Sequence, residues 1–287
     1  MAQEITTLTA SDPEVINWSE IVLPKTFPDL VGNPLELIKL LSRVFGKRKR
    51  VVLPEGMPGK DLIPKYILQE FHNIPNGNYS ENLSSGYIKG FDISMLGEAA
   101  AARREIASHF TGMESALDVG CAGGKMGGAL ADAGVKDVWG LDPSPYLLKH
   151  ASRSFPNIKF VQGIAELTGF SAARFNGISA CFVFHEIPPK AASQALTEFH
   201  RILKPGGIVA ISEPSEIQMR ESKFNLFKRW GFKGIYFWFV AHWMHEPFVK
   251  AWHKQDIPSW LNQHGFELVS DNDSVPIRKI IARKVEK

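Results

Sequence analysis

From residue 97 onward, apolar positions fall into two alternating rhythms. Short β-rich runs at 116–119, 138–141, 159–161, 177–184 and 208–212 read as strands. Between them, 125–134, 144–154 and 190–203 read as helices; in the last, Ala192, Leu196, Phe199 and Leu203 share one face. The stretch 97–110 is rich in strong helix formers, and Gly112 suits its end. A helix near 257–264, with Asp256 as N-cap and Gly265 as stop, precedes two more strands at 266–270 and 279–283. Strands alternating with helices of this length argue for α/β architecture. The predicted fold is a doubly wound, mostly parallel sheet of seven strands ending in a hairpin-like pair.

The flanking segments follow other patterns. The first 90 residues are rich in Pro, Gly and Asn, and one helix is predicted over 34–45, where Leu35, Ile38, Leu41 and Phe45 repeat at helical spacing. The basic run 47–50 (KRKR) reads as the solvated end of that helix. Residues 1–95 are expected to form a helical N-terminal extension that helps cover a binding site, and 96–287 the main domain. Within that domain, 215–255 stands out as an insert dense in aromatics, from Phe224 to Trp252, interleaved with Lys223, Lys228, Arg229 and Lys233. A lid over a pocket is the leading reading. The other two are ordinary packing of an extra helical layer and transient contact of a basic, aromatic helix with a membrane surface.

Composition narrows the classes. With 33 basic and 30 acidic side chains, a net charge of +3 offers no footprint for nucleic acid. The two cysteines, Cys121 and Cys181, make no disulfide framework, and no Cys or His spacing points to a metal. A reducing, cytoplasmic setting is expected. The N-terminus shows no basic stretch followed by an apolar run, so no secretory signal is expected. The most apolar stretch, 234–244, has 11 residues, short of the roughly 20 that cross a bilayer.

The main chemical signal is 116–125, ALDVGCAGGK: a strand, a glycine-rich turn and the start of a helix, so that backbone amides face a crevice. Asp142 closes the next strand, where a carboxylate can accept from both ribose hydroxyls; it can equally cap the helix at 144–154. Dehydrogenases and methyltransferases share this layout. Here Asp118 sits two residues before Gly120, where it would repel a pyrophosphate and suit a cationic ligand, which decides against a dehydrogenase.

Residues from about 75 to 284 resemble the class I S-adenosylmethionine-dependent methyltransferases related to the ubiquinone/menaquinone C-methyltransferases. The matching pieces are LDVGCAGGKMG (117–127), GLDPSPYLLKHA (140–151), FVQGIAELTGF (160–170), FNGISACFVFHEIPP (175–189) and RILKPGGIVAISEP (201–214). A closer subgroup shares FHNIPNGNY (71–79), Tyr87 and His245-Glu-Pro-Phe. The resemblance implies a Rossmann-like methyltransferase fold. S-adenosylmethionine would be the cofactor, with Gly120 and Gly124 at its methionine end, Asp142 at the ribose, and Ala165 and Glu166 beside the adenine. Asp118, Cys121, Ala122, Pro143 and Phe182 complete the expected cofactor residues. The sequence departs twice: Ala122 replaces a loop glycine, and Ile164 stands where an Asp often accepts from the adenine amino group, a loss of about 1–2 kcal/mol.

The implied activity is in-line transfer of a methyl group to a small, apolar or aromatic acceptor. His185 follows the fourth strand, where it could serve as general base or merely shape the pocket. His185, Glu186, Tyr79, Tyr87 and His245 are the candidates for handling the acceptor. Two alternatives stand beside this reading: a non-catalytic binding protein of the same fold, and a methyltransferase acting on protein or RNA. The sequence leaves the oligomeric state open.

Overall fold

The computed structural model describes residues 11–285 apart from 30–34, 36–37, 39–40 and 43–46. The helix predicted over 34–45 therefore lies mostly outside the described residues; Leu35, Ile38, Leu41 and Ser42 are helical.

Two α-helices lead directly into the sheet. α1 (Glu81–Ser94) starts where the Ser80 side chain accepts from the Leu83 amide, and α2 (Glu98–Ser108) follows the left-handed Gly97. The sheet is then laid down as β1 (Ser115–Val119), β2 (Asp137–Asp142), β3 (Lys159–Gln162), β4 (Phe175–Cys181), β5 (Leu203–Pro214), β6 (Phe266–Asp273) and β7 (Ile277–Lys284). Their spatial order is 3-2-1-4-5-7-6, with β7 antiparallel to both neighbours and the others parallel. The doubly wound, seven-stranded fold expected from the sequence is the one observed. β4 is shorter than predicted because Phe182 takes a left-handed φ of 60° and turns the chain out of the sheet. β5 is longer at its start, reaching back to Leu203.

The crossover helices are α3 (Lys125–Asp132), α4 (Pro145–Ser154) and α5 (Pro189–Ile202). α4 begins well because Ser144 accepts from Leu147 and Pro145 occupies the first turn. Each sheet face buries its own core. Leu117, Val119, Trp139, Phe199 and Trp260 pack on one side, and Ala116, Phe110, Leu130, Phe160 and Ile281 on the other. Full burial of β1 on both faces is the mark of a central parallel strand.

Between β5 and β6 the chain forms α6 (Ile217–Arg220), α7 (Lys223–Trp243), α8 (Val249–His253) and α9 (Ile257–Gln263). α7 is not one rod. Gly231 (φ 61°, ψ −147°) breaks it, and Lys223 Nζ returns to within 4.0 Å of the Trp238 ring and 5.0 Å of the Phe239 ring. A Cβ on Gly234 would lie 2.6 Å from the Leu226 carbonyl oxygen, so the two arms, 223–230 and 232–243, touch backbone to backbone. Leu226 and Phe237 face inward onto Met95, Ala99, Val275 and Ile277.

Candidate active site

The carboxyl ends of β1, β2 and β4 open into one cavity, where a doubly wound sheet holds its ligands. The first wall is the turn after β1. Gly120 (φ 67°) and Gly124 (φ 78°) have the freedom such a turn needs, and the Gly120 and Cys121 amides donate to the Leu141 carbonyl at 2.8 and 3.0 Å. A side chain on Gly120 would strike Val183, 2.5 Å from its Cβ position. Ala122 adopts the same left-handed region, φ 45°, although it has a side chain. Its amide donates to Asp142 Oδ2 at 2.9 Å, while Oδ1 of Asp142 accepts from the Ser144 amide at 2.8 Å. Asp142 therefore steadies the start of α4 and also lines the cavity.

Two further carboxylates shape this end. Asp118 is buried; Oδ1 accepts from Ser179 at 2.9 Å, and Oδ2 has no partner among the described residues. Burial pushes the Asp118 and Asp142 carboxyls up to about 7. Glu166 accepts from the Tyr66 hydroxyl, and its other oxygen is buried without a partner. Ala165, Ile164, Pro143 and Phe182 line the same cavity. Cys121 also lines it, with a thiol that burial and the neighbouring Asp142 and Asp118 push well above its usual range. This set fits S-adenosylmethionine: an orphaned buried carboxylate oxygen suits a cationic methionine moiety, and Asp142 retains lone pairs for ribose hydroxyls.

The roof comes from the N-terminal extension. Tyr66, Phe71, Tyr79, Tyr87, Ile88 and Phe91 all line the cavity. The aromatic insert, expected as the lid, contributes no lining side chain. Trp230, Tyr236 and Trp238 instead belong to the cluster that includes Phe91 and Phe182, so the insert backs the cavity wall from outside. Its helical hairpin packs on α1, α2 and the β6–β7 turn, while Trp252 and Glu246 further on meet Phe184 and the two histidines His185 and His72 behind the crevice wall.

Beside Glu186 the fold assembles a charged network. Glu213, fully buried at the end of β5, accepts from the Val183 and Phe184 amides at 2.8 Å each and contacts His185 Nδ1 at 2.5 Å. The loop bearing His185 is thereby fixed, helped by Phe184 stacking on Trp252. His185 Nε2 lies 3.6 Å from Glu246, and His72 Nε2 lies 2.7 Å from Glu186. His72 also stacks on Tyr87, ring centroids 5.5 Å apart. Burial opposes charging His185, but Glu246 and Glu213 outweigh it and hold the imidazole well above its ordinary range. His72 is raised in the same way, chiefly by Glu186. Despite burial, the two histidines pull Glu246 down to about 2. Among the described residues no three His, Cys, Asp or Glu side chains are grouped to hold a metal ion.

The structure thus separates the sequence candidates. Glu186, Tyr79 and Tyr87 line the cavity. The Tyr79 hydroxyl is buried without a partner, and burial keeps both phenols protonated. His185 does not line the cavity: it is fully buried behind the wall, with Nδ1 against Glu213 and its imidazole raised well above the ordinary range. His245 lines a separate cavity with Arg48, Lys49, Arg50 and Lys65; only its carbonyl meets the network, accepting from the His72 amide at 3.3 Å. His72, Glu213 and Glu246 were not among the site candidates, although they lie in the quoted segments 71–79, 201–214 and 245–248. The usable signal was an acid at the carboxyl end of a central strand, Glu213.

A crevice at the carboxyl ends of parallel strands, with Asp118 on β1 and Asp142 closing β2, belongs to a Rossmann-like domain. Residues 116–207 match the family described as a methyltransferase domain. A demethylmenaquinone methyltransferase of Chlorobaculum tepidum is 39% identical over 98 residues, 34% of this chain and 40% of that protein. An uncharacterized methyltransferase of Synechocystis is 37% identical over 98 residues, 34% of this chain and 46% of that protein. A demethylmenaquinone methyltransferase of Staphylococcus epidermidis is 34% identical over 156 residues, 53% of this chain and 60% of that protein. The chain therefore spans about half the length of these curated relatives. A solved methyltransferase structure from Aquifex aeolicus aligns at a TM-score of 0.47 and 17% identity, covering 64% of this chain and 89% of that one. The fold assignment rests on the strand order and not on that likeness. Residues 116–207 thus form a methyltransferase domain, similar in sequence to the demethylmenaquinone methyltransferases named above.

Proposed function

We propose that the protein transfers a methyl group from S-adenosylmethionine to a small, apolar or aromatic acceptor by in-line displacement. The carrying observation is the pairing, in one cavity, of the orphaned Asp118 carboxylate oxygen with Asp142 at the next strand end. Asp118 and the loop amides would hold the methionine end, Asp142 the ribose, and Glu166 with Ile164 and Ala165 the adenine side. The bound cofactor supplies a methyl group already activated on a sulfonium, so orientation by the protein carries much of the rate. Ala122 adopts the conformation a glycine would take, so its methyl group leaves the loop's course intact.

Acceptor chemistry belongs to the side roofed by Phe71, Tyr87, Ile88, Phe91 and Phe182, whose rings and alkyl groups favour a flat apolar molecule. As the acceptor bonds to the methyl carbon, the C–S bond breaks, and the acceptor must lose a proton. Glu186, which lines the cavity and pairs with His72, is placed to take it. The names of the relatives point to hydroquinone-like acceptors. The test supplies labelled S-adenosylmethionine to the protein with a panel of hydroquinones and phenols, and in parallel with protein and RNA. Label in the small-molecule fraction supports the reading, and label only in macromolecules overturns it.

A further inference from the structure

The outer face of the insert is built unlike a water-facing surface. Phe224 is 74% exposed, Phe232 82%, and Phe227, Phe239 and Trp243 about half. These residues form one patch because α7 folds back at Gly231. Phe227 and Phe232 meet edge to face across the break at 5.3 Å, and Lys223 lies over Phe239. Between Ser222 and His245 the chain carries Lys223, Lys228, Arg229 and Lys233 and no carboxylate. Apolar patches of this kind on a protein surface mark contact with another phase or partner.

The patch continues into a basic cavity. Asn73 donates to the Trp243 carbonyl at 3.3 Å and accepts from Arg48 at 2.8 Å, tying the end of α7 to the exposed run Lys47–Arg50. Arg48, Lys49, Arg50 and Lys65 line that cavity; its one carboxylate, Glu70, accepts from the Lys49 and Asn76 amides. The cavity shares Tyr66 and Gln69 with the cofactor crevice. Just before the basic run, the helical Leu35, Ile38 and Leu41 are exposed as well.

We propose that this face docks on a lipid bilayer bearing anionic headgroups. The rings of α7 enter the interface, and headgroup phosphates meet Arg48, Lys49, Arg50 and Lys65. Charge selects the occupant: Glu98 pairs with Lys233 at 2.7 Å, but Lys223, Lys228, Arg229 and the run 47–50 leave a cationic excess beside the rings, and rings with such an excess suit an anionic surface where rings alone would suit any apolar partner. No helix among the described residues is long and apolar enough to cross a membrane, so the contact lies in the interface. This inference does not depend on the cofactor, and its test needs none.

The full chain is co-sedimented with vesicles of phosphatidylcholine alone or of phosphatidylcholine mixed with phosphatidylglycerol, whose anionic headgroups attract Lys and Arg. Binding to the anionic vesicles only, released by salt, is expected. Phe232→Ser and Phe239→Ser should each weaken it about tenfold, and Lys228→Glu with Arg229→Glu more than about tenfold together. Hydrogen exchange on the unaltered protein should show vesicle-dependent protection confined to 223–243 and 47–50. Equal binding to both vesicles, no binding, unchanged binding of the variants, or protection elsewhere overturns the proposal. So does a dimer that Phe232→Ser dissolves while vesicles bind neither form, since that assigns the face to a second copy of the chain.

Discussion

The Ala122 amide donates to Asp142 Oδ2 at 2.9 Å, joining the turn after β1 to the end of β2. That bond exists because Ala122 holds φ 45°, a region that costs a residue with a Cβ roughly 1 kcal/mol. The cofactor crevice is thus set partly by a strained residue.

Relieving that strain gives the first expectation. Ala122→Gly should leave cofactor affinity within about threefold and change stability by less than about 1 kcal/mol, since relief of strain is offset by a more flexible unfolded chain. Ala122→Val, with a β-branched side chain in the same region, should destabilise by more than about 1 kcal/mol and weaken the cofactor complex. Thermal melts and calorimetry on both variants decide it.

Asp118 should make cofactor binding depend on pH. Its carboxyl sits at about 7 in the folded protein against 3.8 ordinarily. A raised carboxyl favours the protonated native state, so its contribution to stability weakens as pH rises from 3.8 to 7. A cationic ligand needs the ionised form, so affinity should instead rise through that range and level off above it. Asp118→Asn should lose at least about tenfold in affinity, flatten the pH profile and leave the protein no less stable at alkaline pH. An unchanged profile in the variant counts against this role.

Glu246 should govern acid stability. His185 and His72 hold it at about 2, below its usual 4.5, so its stabilising contribution is complete above 4.5 and disappears as pH falls toward 2. Denaturation followed over that range should be flatter in Glu246→Gln, which should cost of the order of 1–3 kcal/mol near neutrality. Parallel curves for the two proteins would show the pair to be energetically idle.

Glu186 is expected to act on the proton and not on the cofactor. Glu186→Gln should slow methyl transfer by about a hundredfold, with the dissociation constant for S-adenosylhomocysteine unchanged. His72→Asn should lower the rate less and shift its pH profile, because His72 acts through Glu186.

The sequence made the β1 turn and Asp142 visible because both belong to one contiguous strand–turn–helix pattern. Local spacing cannot show what four distant segments bring together: His72, His185, Glu213 and Glu246 meet only once β5 and the chain after α7 are in place. The insert shows the same limit. Its aromatic density was plain, but Gly231 turns the helix back on itself and sends Phe232 and Phe239 outward. The basic run at 47–50 read as a solvated helix end, and only the Arg48–Asn73–Trp243 linkage joins it to the aromatic face.

The central claim is that the crevice at Asp118 and Asp142 binds the adenosyl cofactor, and calorimetric titration of the full chain with S-adenosylhomocysteine tests it most directly. One-site binding with a micromolar dissociation constant, weakened at least about tenfold by Asp142→Asn, is the expected result. No binding at millimolar concentration, or equal affinity in the variant, would contradict it.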